Sequence, residues 1–259
     1  MNVQFRISLA MMLLLAGACH AAPPTAQADK PGDRIPAENG DILVYPIDHA
    51  SFVLTWSGKT VYVDPVGGAK KYAGLPKPDA VLITHAHFDH FDVRTLEGLI
   101  AADSAAKIVA PQAVADKMPA GPLADKTKAI AAGEKAEVSG VLIEAVPAYN
   151  ITPERKKFHP KGEGLGYVIQ LGGKRIYAAG DTEDTPEVRK LKQIDAAFLP
   201  MNLPYTMDVK SAADAVRQFK PKIVYPYHYR SADKTMADLD EFRKLAGEGI
   251  EVRVLKWYP

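Results

Sequence analysis

A single cysteine, Cys19, serves the whole 259-residue chain. An intramolecular disulfide is therefore excluded, and so is a zinc site built on several thiolates. The sequence also lacks a surplus of either charge. It carries 32 Lys and Arg against 31 Asp and Glu, and setting aside Arg6 in the first 21 residues leaves 31 against 31. No basic excess points to nucleic acid, and no acidic excess points to a self-repelling tail. The apolar run near the N-terminus, Leu9 to Ala18, is too short to span a bilayer comfortably.

That run follows the lone Arg6 and precedes small residues, the order of a signal peptide, taken here as residues 1–21. Cleavage after Ala18 would fit the small-x-small pattern of Ala16-Gly17-Ala18 and leave Cys19 at the new N-terminus. A bacterial lipoprotein carries its lipid at that position. Two exported fates stand level: a soluble periplasmic protein, and one lipid-anchored in the bacterial envelope through Cys19. Retention of the segment as a membrane anchor is third. Residues 22–40 are rich in Ala, Pro, Asp and Lys without periodicity and read as a flexible tether. One large α/β domain is expected over residues 41–259, with 47% apolar content to fill its core.

What the sequence does have is Thr84-His85-Ala86-His87-Phe88-Asp89-His90. The stretch follows Ala80-Val81-Leu82-Ile83, which reads as a buried strand. Residues two apart in an extended segment point the same way, so His85 and His87 can converge on one ion. Asp89 and His90 follow the turn and can face a second point nearby. Imidazole nitrogen and carboxylate oxygen are ligands for borderline divalent metals, zinc above all. A solvated polar loop is the bland alternative, disfavoured because three of the seven histidines fall in six positions.

Strands and helices alternate on both sides of this stretch, as in a layered α/β protein. Phe52 to Trp56 and Thr60 to Val63 form a hairpin through Ser57-Gly58-Lys59, ending at Asp64-Pro65. Asp64 is either a turn former or an acceptor that orients a ligating histidine. Apolar spacing predicts a helix over Val93 to Ala102. Gly166 to Leu171 and Lys174 to Ala179 form a second hairpin through Gly172-Gly173, ending at Gly180-Asp181-Thr182. Pro186 to Gln193 reads as a short helix, and Asp208 as the cap of a helix over Val209 to Phe219. Ile223 to Tyr227 is a strand that delivers His228. The histidines and acids thus gather at C-terminal ends of strands, on one rim.

The motif His85-x-His87-x-Asp89-His90 after a strand resembles the metal motif of the metallo-β-lactamase-fold hydrolases, and the resemblance runs over about residues 41 to 230. It implies an α/β fold of four layers, an αβ/βα sandwich with metals in the cleft between its halves. It implies that His85, His87 and a third histidine hold one metal, that Asp89, His90 and His228 hold another, and that Asp181 bridges them. Asparagine, Asn150, stands where that third histidine is expected. His159, nine residues later in the basic loop Glu154 to Lys161, is the candidate to fill the place; the alternative is an exposed loop histidine. His49-Ala50-Ser51 is similar to the opening motif of the ascorbate-6-phosphate lactonase-like branch, with Asp48 in place of glycine, which makes His49 a candidate ligand-orienting or substrate contact.

The expected activity is that of an exported zinc-dependent hydrolase. Its metals, two by the ligand set, would present hydroxide to a small-molecule lactone, ester or phosphodiester; manganese or iron remain open. Asp89 would orient that hydroxide, and Tyr205 is a candidate donor to the transition state. By branch resemblance a lactone or cyclic ester ranks first, a phosphodiester second and a β-lactam third. Two readings from other classes stand beside it: a metal- or ligand-binding envelope module with hydrolysis lost, motivated by Asn150, and an iron protein of sulfur chemistry.

Overall fold

The computed structural model describes Met1 and residues 32–258, so the signal-peptide and lipidation expectations for residues 1–21 lie outside the described residues, Met1 aside. Two seven-stranded sheets face each other. The first takes its strands in chain order: β1 (Asp33–Ile35), β2 (Ile42–Asp48), β3 (Ser51–Trp56), β4 (Lys59–Val63), β5 (Ala80–Leu82), β6 (Lys107–Ala110) and β7 (Thr127–Ala129). The second runs from β8 (Lys135–Val138) and β9 (Val141–Ala148) through β10 (Gly164–Leu171), β11 (Lys174–Ala178), β12 (Ala196–Pro200) and β13 (Ile223–Tyr227) to β14 (Glu251–Val252). In each sheet the first four strands are antiparallel and the last four parallel, β4 and β11 belonging to both halves.

The period of two along each strand decides which core a side chain joins. Phe52 and Leu54 of β3, with Ala80 and Leu82 of β5, enter the core between the sheets. Val53, Val81 and Ile83 point the other way, under α1 (Val93–Leu99) and its neighbours. Phe52 stacks on Phe198 across the sandwich with ring centroids 4.0 Å apart. On the far face, α5 (Val209–Phe219) lays Ala212, Ala213, Val216 and Phe219 on the second sheet, and α6 (Leu239–Ala246) packs beside it. Between α1 and α5 lie the short helices α2 (Gln112–Ala115), α3 (Pro122–Lys126) and α4 (Pro186–Arg189). The layers are helix, sheet, sheet, helix, the four-layer sandwich expected.

Beyond one- or two-residue shifts at strand ends, three boundaries differ from expectation. Residues 22–40 are not all tether: Asp33–Ile35 is a strand paired with β2, so the ordered chain begins before residue 41. Its anchor is the Asp33 carboxylate, which accepts from Tyr225 Oη at 2.5 Å and Arg253 at 2.8 Å. Helix α1 stops at Leu99, with Ile100 extended; Gly98 in its last turn is a weak helix former. Helix α4 ends at Arg189 rather than Gln193. Among the described residues, no helix is long and apolar enough to cross a membrane.

Candidate metal centre

The rim where β5, β9, β11 and β13 end collects the histidines and acids. Its foundation is Asp64, fully buried at the end of β4 in a left-handed conformation (φ 45°). Thr84 donates to the Asp64 carboxylate twice, from its backbone N–H and from Oγ1, both at 2.7 Å. His90 Nδ1 lies 2.7 Å from the same carboxylate. An imidazole held at Nδ1 by a carboxylate offers Nε2 as its free donor, so Asp64 orients a candidate ligand in addition to turning the chain.

After Thr84 the chain turns tightly, with the His90 and Phe91 N–H groups both donating to the His87 carbonyl. The turn sets His85 Nε2 3.0 Å from His87 Nδ1. Donor atoms around a tetrahedral zinc with bonds of about 2.0–2.1 Å stand roughly 3.3 Å apart, close to that spacing. His159 joins these two in a group whose ligand atoms all lie within 4.8 Å of one another. The loop histidine is therefore buried and turned inward, not displayed among the lysines.

Asn150 shows how it gets there. The Asn150 amide donates to the carbonyls of Tyr205 at 2.7 Å and Arg155 at 2.9 Å, and lies 3.2 Å from His159 Nδ1. Its backbone N–H donates to the His159 carbonyl at 2.8 Å. The residue at the position expected of histidine is thus a clamp for the loop that carries one. Glu183, three per cent exposed, completes the clamp. Its carboxylate accepts from the backbone N–H of Ile151 and Thr152 at 2.7 and 2.6 Å and from Arg155 at 2.7 Å.

Asp181 stands at the junction of the groups. Its Oδ2 lies 3.2 Å from His159 Nε2, and its Oδ1 lies 3.3 Å from His90 Nε2 and 3.5 Å from His228 Nε2. Asp89 Oδ2 lies 3.5 Å from His228 Nε2 and 3.6 Å from His49 Nε2. The His49 ring packs on that of His228 with centroids 3.7 Å apart, and its Nδ1 meets the Tyr258 hydroxyl at 2.9 Å. Of the nine residues singled out, all but Tyr205 thus share one cleft through their side chains. Tyr205 reaches it through its backbone: its carbonyl lies 3.1 Å from His159 Nδ1, while its ring stands edge-on to Phe158.

Burial alone would raise the Asp181 carboxyl, but His228, His90 and His159 around it hold it well below the usual carboxylate range. Burial also works against ionised Asp89, and the close approach of His228 and His49 outweighs it, so that its pKa falls far below the ordinary value. Burial would lower the His90 imidazole, yet Asp181 and Asp64, one at each nitrogen, push it well above its ordinary value. His85, with desolvation dominant and His90 adding to it, is held well below, neutral and able to ligate.

His90 Nε2, His159 Nε2, His228 Nε2 and Asp181 Oδ1 are all buried without a hydrogen-bond partner in the described structure. Buried polar atoms left unpaired are costly, and four of them converging in one cleft is the donor set that divalent cations satisfy. The residues fit a metal centre on this ground alone.

Comparison with known proteins agrees. Residues 43–228 match the family model described as a beta-lactamase superfamily domain. The chain is a metal-dependent hydrolase of the metallo-β-lactamase superfamily. This hydrolase is 36% identical over 223 residues to the UPF0173 metal-dependent hydrolase of Pyrococcus abyssi, covering 81% of this chain and 94% of that one. To the UPF0173 metal-dependent hydrolase of Thermococcus onnurineus it is 38% identical over 218 residues, with the same two coverages. Among solved structures, a Parabacteroides distasonis protein described as a metal-dependent hydrolase superposes with a TM-score of 0.77 at 38% identity, over 88% of this chain and 99% of that one.

Sequence reading of the hydrolase missed two contributors. Glu183 lies two residues beyond Asp181, and nothing in Thr182-Glu183 marks it as the clamp of a distant loop. Tyr258 lies 209 positions from His49, and only the folded tail brings the two together.

Proposed function

We propose that this chain is an exported, zinc-dependent hydrolase that holds two metal ions and cleaves a lactone or other cyclic ester. A phosphodiester ranks second and a β-lactam third. The observation that carries the two-metal reading is Asp181, whose two carboxylate oxygens address different histidines: Oδ2 faces His159, while Oδ1 faces His90 and His228. One shared carboxylate lowers the repulsion between neighbouring cations as no neutral ligand does. In this reading His85, His87 and His159 hold one ion, and Asp89, His90 and His228 hold the other. Such ions lower the pKa of a bound water toward neutrality and polarise the carbonyl or phosphoryl oxygen under attack.

The chain's own groups do the rest. Asp89, kept ionised by His228 and His49, would orient the attacking water. His49, fixed at Nδ1 by Tyr258, steadies Asp89 at Nε2. Tyr205, exposed on the loop after β12, has its ring edge-on to Phe158, which lines the pocket beside His85 and His87, and would donate from there to charge developing on the substrate. The small pocket beside the metals is lined by Ala113, Lys117, Phe158 and Glu163 and suits a compact polar substrate. The ranking of lactone over phosphodiester rests on the likeness of His49-Ala50-Ser51 to the ascorbate-6-phosphate lactonase-like branch, and export rests on Arg6 to Ala18. The binding-module reading drew on Asn150 alone, and the clamp role of that amide removes its motive.

Elemental analysis of the chain from Ala22 is the test. About two zinc ions per chain, falling to about one in His159→Ala and to none in Asp181→Ala, are expected, with hydrolysis of a lactone panel lost in both. Full hydrolysis by Asp181→Ala would overturn the proposal.

A further inference from the structure

The pocket beside the metal cleft belongs to one side of it. His85, His87, His159 and Asp181 line it, whereas Asp89, His90 and His228 do not. A substrate whose reacting carbonyl lies over the histidine cluster would therefore lay the rest of its body toward those three histidines. The walls there are small or apolar, among them Ala113, Ala148, Phe158 and Pro160.

Two full charges interrupt those walls. Lys117 follows α2 on the first half of the sandwich, and Glu163 precedes β10 on the second. Asp181 is the remaining carboxylate of the lining, and the histidines around it already engage it. Lys117 and Glu163 are exposed, and among the described residues neither side chain has a hydrogen bond or ion pair, with the other or with anything else. Charges close to them in the chain are already engaged. Asp116 accepts from the Gln112 amide at 2.7 Å, and Lys161 pairs with Glu187 at 3.1 Å. Both backbones are held in turns, the Lys117 N–H donating to the Val114 carbonyl at 3.0 Å and the Glu163 N–H to the Pro160 carbonyl at 3.4 Å. The pocket thus offers one unengaged ammonium and one unengaged carboxylate, carried by opposite halves of the sandwich.

A pocket selects through a few placed polar groups on an otherwise apolar wall. A cation and an anion that do not satisfy each other are complementary to a molecule that carries both signs. A purely anionic ligand would face Glu163, and a purely cationic one would face Lys117, so each is penalised on one side as well as unrewarded there.

We propose that Lys117 and Glu163 select a small cyclic ester bearing both a free carboxylate and a free ammonium. Lys117 receives the carboxylate and Glu163 the ammonium. This selection rests on the hydrolytic reading above for the bond cleaved, but binding can be read without cleavage.

Binding is measured first, by calorimetry on the zinc-loaded chain from Ala22, which contains both sheets and every metal-site group. The probes are rings with no ester to cleave. cis-3-Aminocyclopentanecarboxylate carries both charges; cyclopentanecarboxylate and cyclopentylamine carry one each. The aminocarboxylate should bind roughly five- to tenfold tighter than either. Lys117→Gln should weaken the aminocarboxylate and the carboxylate roughly three- to tenfold and leave the amine no weaker. Glu163→Gln should weaken the aminocarboxylate and the amine by a similar factor and leave the carboxylate no weaker. Lys156→Gln, exposed on the loop of Glu163 but outside the pocket lining, should change none of the three. Metal content of each variant reports whether the cleft is intact.

Turnover is measured next. The lactone of 4-hydroxyglutamic acid carries both charges, and its kcat/KM should exceed those of butyrolactone and homoserine lactone roughly fivefold or more. Its opening adds one water across the acyl C–O bond of the ring, leaving a hydroxyl and a second carboxylate and releasing a proton. An aminocarboxylate that binds no tighter than the singly charged rings, or tighter binding that both variants leave intact, would overturn the proposal. Cleavage of all three lactones at equal kcat/KM would also overturn it and leave the hydrolase standing. Selective binding lost in the two variants, with none of the lactones cleaved, would uphold the selection and count against the lactone ranking.

Discussion

Glu183 makes three connections depend on one charge. Its carboxylate gathers the Ile151 and Thr152 amides and the Arg155 guanidinium, and the loop so held carries His159 into the cleft. Burial opposes its ionisation, but the contacts from Thr152, Arg155 and Ile151 outweigh it and depress its pKa below the ordinary 4.5. A carboxyl whose folded pKa is depressed stabilises above its unfolded value and loses that contribution as pH falls through the folded one. The loop should therefore be held at full strength above about pH 4.5 and loosen only in stronger acid. Hydrogen exchange of the amides of Ile151 and Thr152, followed down the acid range, reads this directly. Glu183→Gln removes the charge at every pH, and metal affinity should fall roughly ten- to hundredfold in a competition titration. An unchanged affinity would mean that Asn150 alone suffices. Histidine clustering and strand-end placement made the candidate ligands legible in the sequence, because three imidazoles in six positions are a local signal. Glu183, Asn150 and Tyr258 act through space on loops that their own neighbours do not describe, and no local pattern carries that.

At the scale of elements, the tight passage is where Gly180 leaves β11. Gly180 has φ 65°, and a Cβ there would stand 2.8 Å from Thr84 Cβ and 3.1 Å from the Leu165 carbonyl. Only glycine lets the strand that bears Asp181 approach Thr84, which in turn contacts Asp64, His85 and His90. Gly180→Ala should destabilise by about 2–4 kcal/mol from overpacking and left-handed strain together, measured as a lower denaturant midpoint. The hairpins were readable because each pairs alternating apolar residues around a two-residue turn, and Ser57-Gly58 and Gly172-Gly173 both adopt positive φ. The short pieces were not. Strand β1 is three residues long, and helices α2 and α3 span four and five, too few for a period to show. Helix α5, eleven residues with a capping Asp208, matches its sequence limits.

At the scale of the molecule, the C-terminal tail locks the sandwich. Trp257 is fully buried against Phe52 of the first sheet and Phe198 and Tyr227 of the second. Its carbonyl accepts from the His49 N–H, and the next residue brings the Tyr258 hydroxyl to His49. Trp257→Ala should cost about 3–5 kcal/mol in chemical unfolding and, by slackening Tyr258, reduce turnover beyond what the stability loss explains. A variant that is destabilised yet fully active would separate the tail from the chemistry.

The proposed metal ligands are divided between the two sheets: His85, His87, Asp89 and His90 follow β5 of the first, and His159, Asp181 and His228 extend from the second. In the proposed arrangement each ion would be a cross-brace between the halves of a chain that has one cysteine and can form no internal disulfide. Neither half alone offers a complete set of donors, so tight loading waits until the sheets have docked, and a bound ion in turn opposes their separation. At a free-metal concentration a hundredfold above its dissociation constant, each such site adds about 2.7 kcal/mol to the folded state. Chelation should then lower the melting temperature as well as stop the reaction, making metal supply a determinant of how long the protein survives.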